Sequence, residues 1–397
     1  MSTVRERIPR AVWVLGGVSL FMDMSSELVH AILPVYLTTV LGLSVLTVGI
    51  IEGIAEATAS MLKVVSGVIS DHFRRRKALT LLGYGLSALT KPVFPLAATA
   101  YGVVAARFVD RVGKGIRGAP RDAIIADVTP PSVRDAAYGL RQALDTVGAF
   151  AGPLLAMLFL WLWAGDMRAV LWIAVVPAAL AVILLAFGVS EPAHEAAGGS
   201  AAPPRLHALM ALSQPFWLLM LLAALLSLAR LSEAFLVLRA QELKLGLMWI
   251  PLVMIVMSAV YSASSYPAGV WAARVGRRAM LMASLLALAA AEAALAWLPH
   301  GAGLWAGVAL WGLHMGLSQG GLSAWVAELA PAEQRATAFG VFHFTTGLSQ
   351  LVGGGLTGWV WTRHGSAAAF TMGCAWAVVA LVMLSIVARR SRAQARG

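Results

Sequence analysis

Twelve apolar runs follow one another along the chain, each roughly 20 residues or longer, with only short polar turns between most of them. A helix of that length crosses about 30 Å of hydrocarbon. Within hydrocarbon, only helices and closed barrels satisfy every backbone N–H and C=O internally. The runs fall near 11–41, 45–70, 78–98, 100–128, 134–163, 167–188, 213–241, 247–271, 279–298, 301–328, 334–362 and 366–388, and they use up nearly all 397 residues. No sizeable soluble domain remains. The expected fold is all-α and integral to a membrane, with twelve spanning helices and a lipid bilayer as its main partner. A charged fraction of 12%, about half that of a soluble domain, agrees with this.

The net charge of +11 raises the question of a nucleic-acid partner, but the basic residues have a simpler distribution. They gather at alternate turns: Arg5, Arg7 and Arg10; Arg74 to Lys77; Arg134; Arg205; Arg274, Arg277 and Arg278; Arg335; and Arg389 to Arg396. The turns between hold little beyond Arg168, Lys244 and Arg363. By the positive-inside rule both termini are expected on the cytoplasmic side of an inner membrane. Asp23 and Glu27 lie within the first run, which reads as a spanning helix and not a cleaved leader. The single cysteine, Cys374, allows no internal disulfide and reads as packing or lipid-facing filler.

The longest polar interruption, rich in Gly, Ala and Pro, covers 190–208 and divides the chain into 1–189 and 209–397, two bundles of six helices. The halves repeat. Residues 126–139, ADVTPPSVRDAAYG, return as 327–340, AELAPAEQRATAFG, and 67–76 returns as 269–278. Two matches at nearly one offset indicate a tandem duplication. Parallel six-helix repeats place a substrate site near the bilayer midplane, and one chain with both halves is expected to work as a monomer.

These features resemble the major facilitator superfamily over nearly the whole chain. Its loop signature between helices 2 and 3, G-x-x-x-D-R-x-G-R-R, is carried by Gly67, Asp71, Arg75 and Arg76, with His72 and Arg74 as departures. The second copy keeps Gly269, Arg274, Gly276, Arg277 and Arg278, but has Ala273 for the Asp. The helix 4 signature is similar to the stretch from Arg107 to Gly115. The helix 5 antiporter signature, G-x-x-x-G-P, appears as Gly148, Gly152 and Pro153. The resemblance implies a proton-coupled exporter, with helices 1, 4, 7 and 10 around a central cavity. It also implies that Gly67, Asp71, Arg75, Arg76, Gly148, Gly152 and Pro153 serve gating. Asp71 would sit by the start of helix 11, near Ala332 to Ala336, and stabilise the outward-open state through that helix's positive end.

Ionisable residues inside spanning helices cost at least about 2.5–3.5 kcal/mol each at a helix centre, so they should face water or one another. At about 100° per residue, Asp23, Glu27 and His30 share one narrow face of the first helix, and Glu52, Glu56 and Lys63 share one face of the second. Arg107, Asp110, Arg111, Lys114, Arg117, Arg121 and Asp122 fall within an arc of about 140° on the fourth helix. Arg141 and Asp145 on the fifth and Arg230 and Glu233 on the seventh are spaced as ion pairs.

A carboxyl group in a low-dielectric cavity is held between desolvation and a neighbouring cation, and that balance lets it trade a proton for cargo. Asp23, Glu27, Glu56, Asp110 and Asp145 are the candidate proton carriers. His30, Glu52, Arg107, Arg111, Lys114, Arg117, Arg141, Arg230, Glu233 and His314 are the candidate lining of a small-molecule site. The bland reading is that Glu52, Lys63, Arg141 and Arg230 sit in ion pairs that lock the bundle, and that His314 and His343 only pack. Lys91 and Glu292, at equivalent peripheral positions, are expected to snorkel or pair locally. The glycines of the fifth and eleventh helices serve rocking or merely tight static packing. A metal site from Asp23, Glu27, His30, Glu52 and Glu56 is a rival, disfavoured by the cations of the fourth helix. Those same cations support a second rival, uptake of a small anion. No nucleotide loop, H-E-x-x-H or soluble catalytic site is present, so neither an enzyme nor a cofactor is expected.

Overall fold

The computed structural model describes residues 8–73, 75–190, 213–298, 300–318, 321–330 and 335–394. Among them the regular structure is helical throughout, and the helices follow the apolar runs. We label them α1 (Arg10–Val35), α2 (Val45–Phe73), α3 (Arg76–Thr90), α4 (Ala100–Val128), α5 (Arg134–Leu162) and α6, in two pieces (Met167–Ile173 and Val175–Gly188). Then come α7, also in two pieces (Gln214–Ala229 and Ala234–Glu242), α8 (Leu252–Val275), α9 (Arg277–Trp297), α10 (His300–Ser318 and Gly321–Leu329), α11 (Arg335–His364) and α12 (Ser366–Gln394).

Local chemistry explains the ends and breaks. Thr99 caps α4 by accepting from Gly102 N, and Asp166 caps α6 by accepting from Ala169 N at 3.0 Å. Gly276, at φ +84°, makes the tight turn between α8 and α9. Pro34 lies inside α1, and the chain continues as a π-helical turn, Tyr36–Val40. There the Thr38 and Thr39 hydroxyls donate back to the Pro34 and Val35 carbonyls, replacing partners that the irregular backbone leaves open. The seventh run is not one helix as expected. It breaks between Ala229 and Ala234, where Arg230 is extended.

Eight described helices are long and apolar enough to cross a membrane on their own. α4 is not among them, because its charges lower its hydropathy. It is held by packing against α3, and Gly83 and Gly113 are why the two fit so closely. A Cβ on Gly113 would lie 2.5 Å from Gly83 O, and one on Gly83 would lie 2.7 Å from Gly113 O.

The contacts resolve into two compact units, one of 1–33 with 58–203, the other of 34–57 with 204–397. This division and the one by chain position differ over 34–57. In the first unit Val12, Leu15, Val18 and Met22 of α1 meet Tyr84, Ile124, Ile125, Ala137, Ala181 and Leu185 in one core. In the second, Phe216, Leu219, Leu222 and Leu226 of α7 meet Leu281 and Leu285, Val326, Phe342 and Leu384. Here the first turns of α2 lie backbone to backbone on α11, with Gly49 and Gly53 against Gly354 and Leu351. The segment 190–208, read as a linker, lies almost wholly outside the described residues.

Candidate functional site

The first unit gathers acids from α1 and α5 and cations from α4 into one network. Lys91 Nζ, just past the end of α3, donates to Asp110 Oδ1 of α4 at 3.0 Å and to Ser26 Oγ of α1 at 3.2 Å. The Lys91 and Asp110 side chains are 1% and 4% exposed. This pair is dry. Asp110, a candidate proton carrier, is an ion-pair partner in a closed contact. Of the two expectations for Lys91, snorkelling or local pairing, the structure shows the pairing, because the glycine crossing of α3 and α4 brings its ammonium onto α4. Arg107 and Arg111 are buried on the same helix.

Nearer to water the network loosens. Asp23 Oδ1 stands 3.7 Å from Arg117 Nη2 with its side chain 29% exposed, and Glu27 Oε2 stands 3.7 Å from His30 Nδ1 with its side chain 22% exposed. These are ion pairs at the long end, without the tight geometry of a closed bridge. Arg117 is fixed from behind: its Nη1 donates to Ser87 Oγ at 2.8 Å and its guanidinium lies 4.7 Å from the Tyr84 ring centre. Arg121 donates to Asp122 at 3.1 Å, to Ser19 Oγ at 2.9 Å and to Tyr84 OH at 3.3 Å. Arg141 Nη1 donates to Asp145 Oδ2 at 2.6 Å, the expected i,i+4 pair, and its Nε lies 3.9 Å from Asp122.

Other expected residues lie elsewhere. Glu52, buried, and Glu56, half-buried, belong to the part of α2 that packs in the second unit. Arg230 and Glu233, 3.5 Å apart, flank the break in α7 instead of sharing a helical face. His314 is fully buried between α10 and α9, its Nδ1 2.8 Å from Ser284 Oγ. Among the described residues no group of three His, Cys, Asp or Glu side chains is arranged to hold a metal ion.

Of the expected gating residues, Arg76 pairs with Asp127 at the end of the α3–α4 hairpin, while Arg75 is exposed. Gly67 lies within α2, opposite Ala119 of α4. Gly148 abuts the Leu20 carbonyl, and a Cβ on Gly152 would lie 2.5 Å from Met24 O. Both glycines, with the buried Pro153 beside them, thus serve close packing of α5 on α1. The side chains of Asp71, Arg335 and Ala336 and the whole of 331–334 lie outside what is described.

Three residues of this region were not singled out as site residues from the sequence. Asp122 is shared by Arg121 and Arg141, and Arg121 anchors α4 to Ser19 of α1. For Lys63 the bland reading was an ion pair, yet among the described residues it has none within 4 Å. Its place on the Glu52 and Glu56 face of α2 was the available signal.

Membrane-length helices that carry a charged, partly exposed network define a polytopic membrane transport protein. A profile of the Major Facilitator Superfamily matches residues 15–261 and 231–397. The chain is 31% identical over 363 residues to an uncharacterized MFS-type transporter of Methanocaldococcus jannaschii, covering 90% of this chain and 89% of that one. It is 30% identical over 362 residues to an uncharacterized protein of Mycobacterium tuberculosis, covering 89% and 87%. Its fold matches a peptide transporter POT (TM-score 0.81, 16% identity, 97% of this chain and 95% of that one). It also matches the nucleoside transporter NupG (0.73, 17%, 95% and 98%) and the human organic anion transporter MFSD10 (0.66, 19%, 96% and 100%). The chain belongs to the Major Facilitator Superfamily. It is a secondary transporter that works by alternating access, with the superfamily's twelve helices in two six-helix bundles.

Proposed function

We propose that the protein is a proton-driven antiporter that exports a small molecule, with Asp23 and Glu27 as the groups that exchange protons. The observation that carries this reading is the contrast within one network. Lys91 and Asp110 are closed at 3.0 Å, whereas Asp23–Arg117 and Glu27–His30 stand at 3.7 Å with acids that water reaches. A proton can displace a cation from a loose, wetted carboxylate at modest cost. Protonating Asp23 frees Arg117, and a change of a few kcal/mol is enough to tip a two-state transporter. Asp145, held by Arg141, is the next candidate. The helix 5 Gly-Gly-Pro signature supports export, and the alternation of basic turns supports an inner-membrane protein with both termini cytoplasmic. We assign the working form to the monomer.

The test begins with a thermal-shift screen of purified protein at two pH values to identify a cargo, followed by proteoliposome flux with a trapped pH dye. Antiport moves protons against the cargo. Protons moving with the cargo would replace this reading with anion uptake, which the basic stripe of α4 supports. Glu27→Gln is expected to cut coupled proton movement at least tenfold, and undiminished coupling would remove Glu27 from the mechanism.

A further inference from the structure

Most charges of the first unit meet a partner at close range. Arg117 faces Asp23, Glu27 faces His30, Arg121 and Arg141 share Asp122 and Asp145, and Lys91 faces Asp110. Two ammonium groups do not. Among the described residues neither Lys63 of α2 nor Lys114 of α4 has an ion pair within 4 Å, and both are exposed. Lys63 lies within the span Val45–Gly67, and Lys114 lies near the middle of α4.

Both lysines lie alongside the charged network. Lys114 is at the centre of the charged arc of α4, electrostatically coupled to Asp23 and Glu27. The stem of Lys63 lies along α4 at Gly118, whose Cβ would stand 3.9 Å from Lys63 Cε. Its ammonium is coupled to Asp122, Arg121, Arg141 and Lys114. These two cations repel each other across a wetted face, and an unpaired ammonium at membrane depth is a cost the fold does not offset from within.

We propose that the cargo is a small organic anion whose carboxylate or phosphate oxygens dock between Lys63 and Lys114. An anion there supplies the missing counter-charge, and each ammonium gives it a charge-assisted hydrogen bond. This would explain why α4 carries more cations than its own acids match. The proposal rests on the transport reading above, but not on the identity of the coupling ion.

The test is thermal unfolding of the purified full-length protein in neutral detergent, at fixed pH and fixed ionic strength. The probes are benzoate, succinate, citrate and glycerol 3-phosphate, each against an uncharged counterpart (benzamide, succinamide, trimethyl citrate and glycerol). At least one anion is expected to raise Tm saturably while its counterpart does not. Lys63→Gln and Lys114→Gln should each weaken that anion's Kd about tenfold or more, the loss of one charge-assisted contact. Lys63→Arg and Lys114→Arg should recover part of the loss. The proposal is overturned if none of the four anions stabilises the protein, if the neutral counterparts stabilise it equally, or if the Gln variants bind the anion like wild type. The anion-against-neutral comparison needs no variant, so a variant that fails to fold leaves the test intact. Binding at fixed pH is read apart from proton flux. Lost anion selectivity sinks this proposal alone, and lost proton movement sinks the proton reading alone.

Discussion

The α3–α4 pair of the first unit and the α9–α10 pair of the second occupy the same place in the duplicated chain, 201 residues apart, yet treat charge differently. At the hairpin ends they agree. Arg76–Asp127 recurs 201 residues on as Arg277–Glu328, the latter at 2.6 Å. Deeper in, they diverge. Gly83 and Gly113, which let α3 and α4 touch, correspond to Ser284 and His314, joined by a 2.8 Å hydrogen bond. Lys91 and Asp110, the buried ion pair, correspond to Glu292 and Trp311, both buried. Among the described residues neither oxygen of Glu292 nor Trp311 Nε1 has a hydrogen-bond partner. The repeat therefore kept the ion pair where water makes it cheap and kept opposite charges in the interior of only one copy. Desolvation offsets most of what a buried pair gains, so stability alone does not explain the Lys91–Asp110 pair. The bond from Lys91 to Ser26 of α1 does, because it fixes α4 in register with α1.

The comparison breaks most visibly if one partner of the buried pair is removed. Lys91→Met leaves Asp110 uncompensated and should cost about 3–5 kcal/mol, read as a large fall in Tm or loss from the membrane fraction. Adding Asp110→Leu should restore most of that stability, since no charge is then stranded. A double variant as unstable as the single one would mean that the pair is not the cause. In the second unit the corresponding position is governed by shape. A Cβ on Gly373 of α12 would lie 2.6 Å from Glu292 Oε2, so Gly373→Ala should cost about 1–3 kcal/mol by overpacking. Glu292→Gln keeps the shape and should stay within about 1 kcal/mol of wild type. A loss as large as that of Lys91→Met would reveal an ionic partner. The smallest effect is expected at the hairpin end. Arg277→Ala should cost less than about 1 kcal/mol, because its pair with Glu328 is open to water.

Much of this architecture was legible from the chain. The extent of α4, Ala100–Val128, follows from its cap at Thr99 and from the Pro130–Pro131 stop. The i,i+4 pair of Arg141 and Asp145 follows from helical geometry alone. The Asp23–Arg117 meeting follows from two charged faces that hydrocarbon cannot accept. What stayed hidden depends on contacts between helices. Lys91 reaches Asp110 only because Gly83 and Gly113 let their helices touch, and no pattern within α3 reports that crossing. The break at Arg230–Glu233 is likewise invisible in a run whose composition favours helix on both sides. The grouping of 34–57 with the second unit comes from Gly49 and Gly53 meeting α11, which only the folded chain displays.

On the proposed reading, the partly exposed acids of the first unit, and not the buried acid of the second, move the proton. The most direct measurement is cargo-driven proton flux in proteoliposomes for Asp23→Asn beside Glu292→Gln, with equal amounts of folded protein. Asp23→Asn is expected to abolish coupled proton movement, while Glu292→Gln moves protons as wild type does. Intact coupling in Asp23→Asn together with its loss in Glu292→Gln would contradict it.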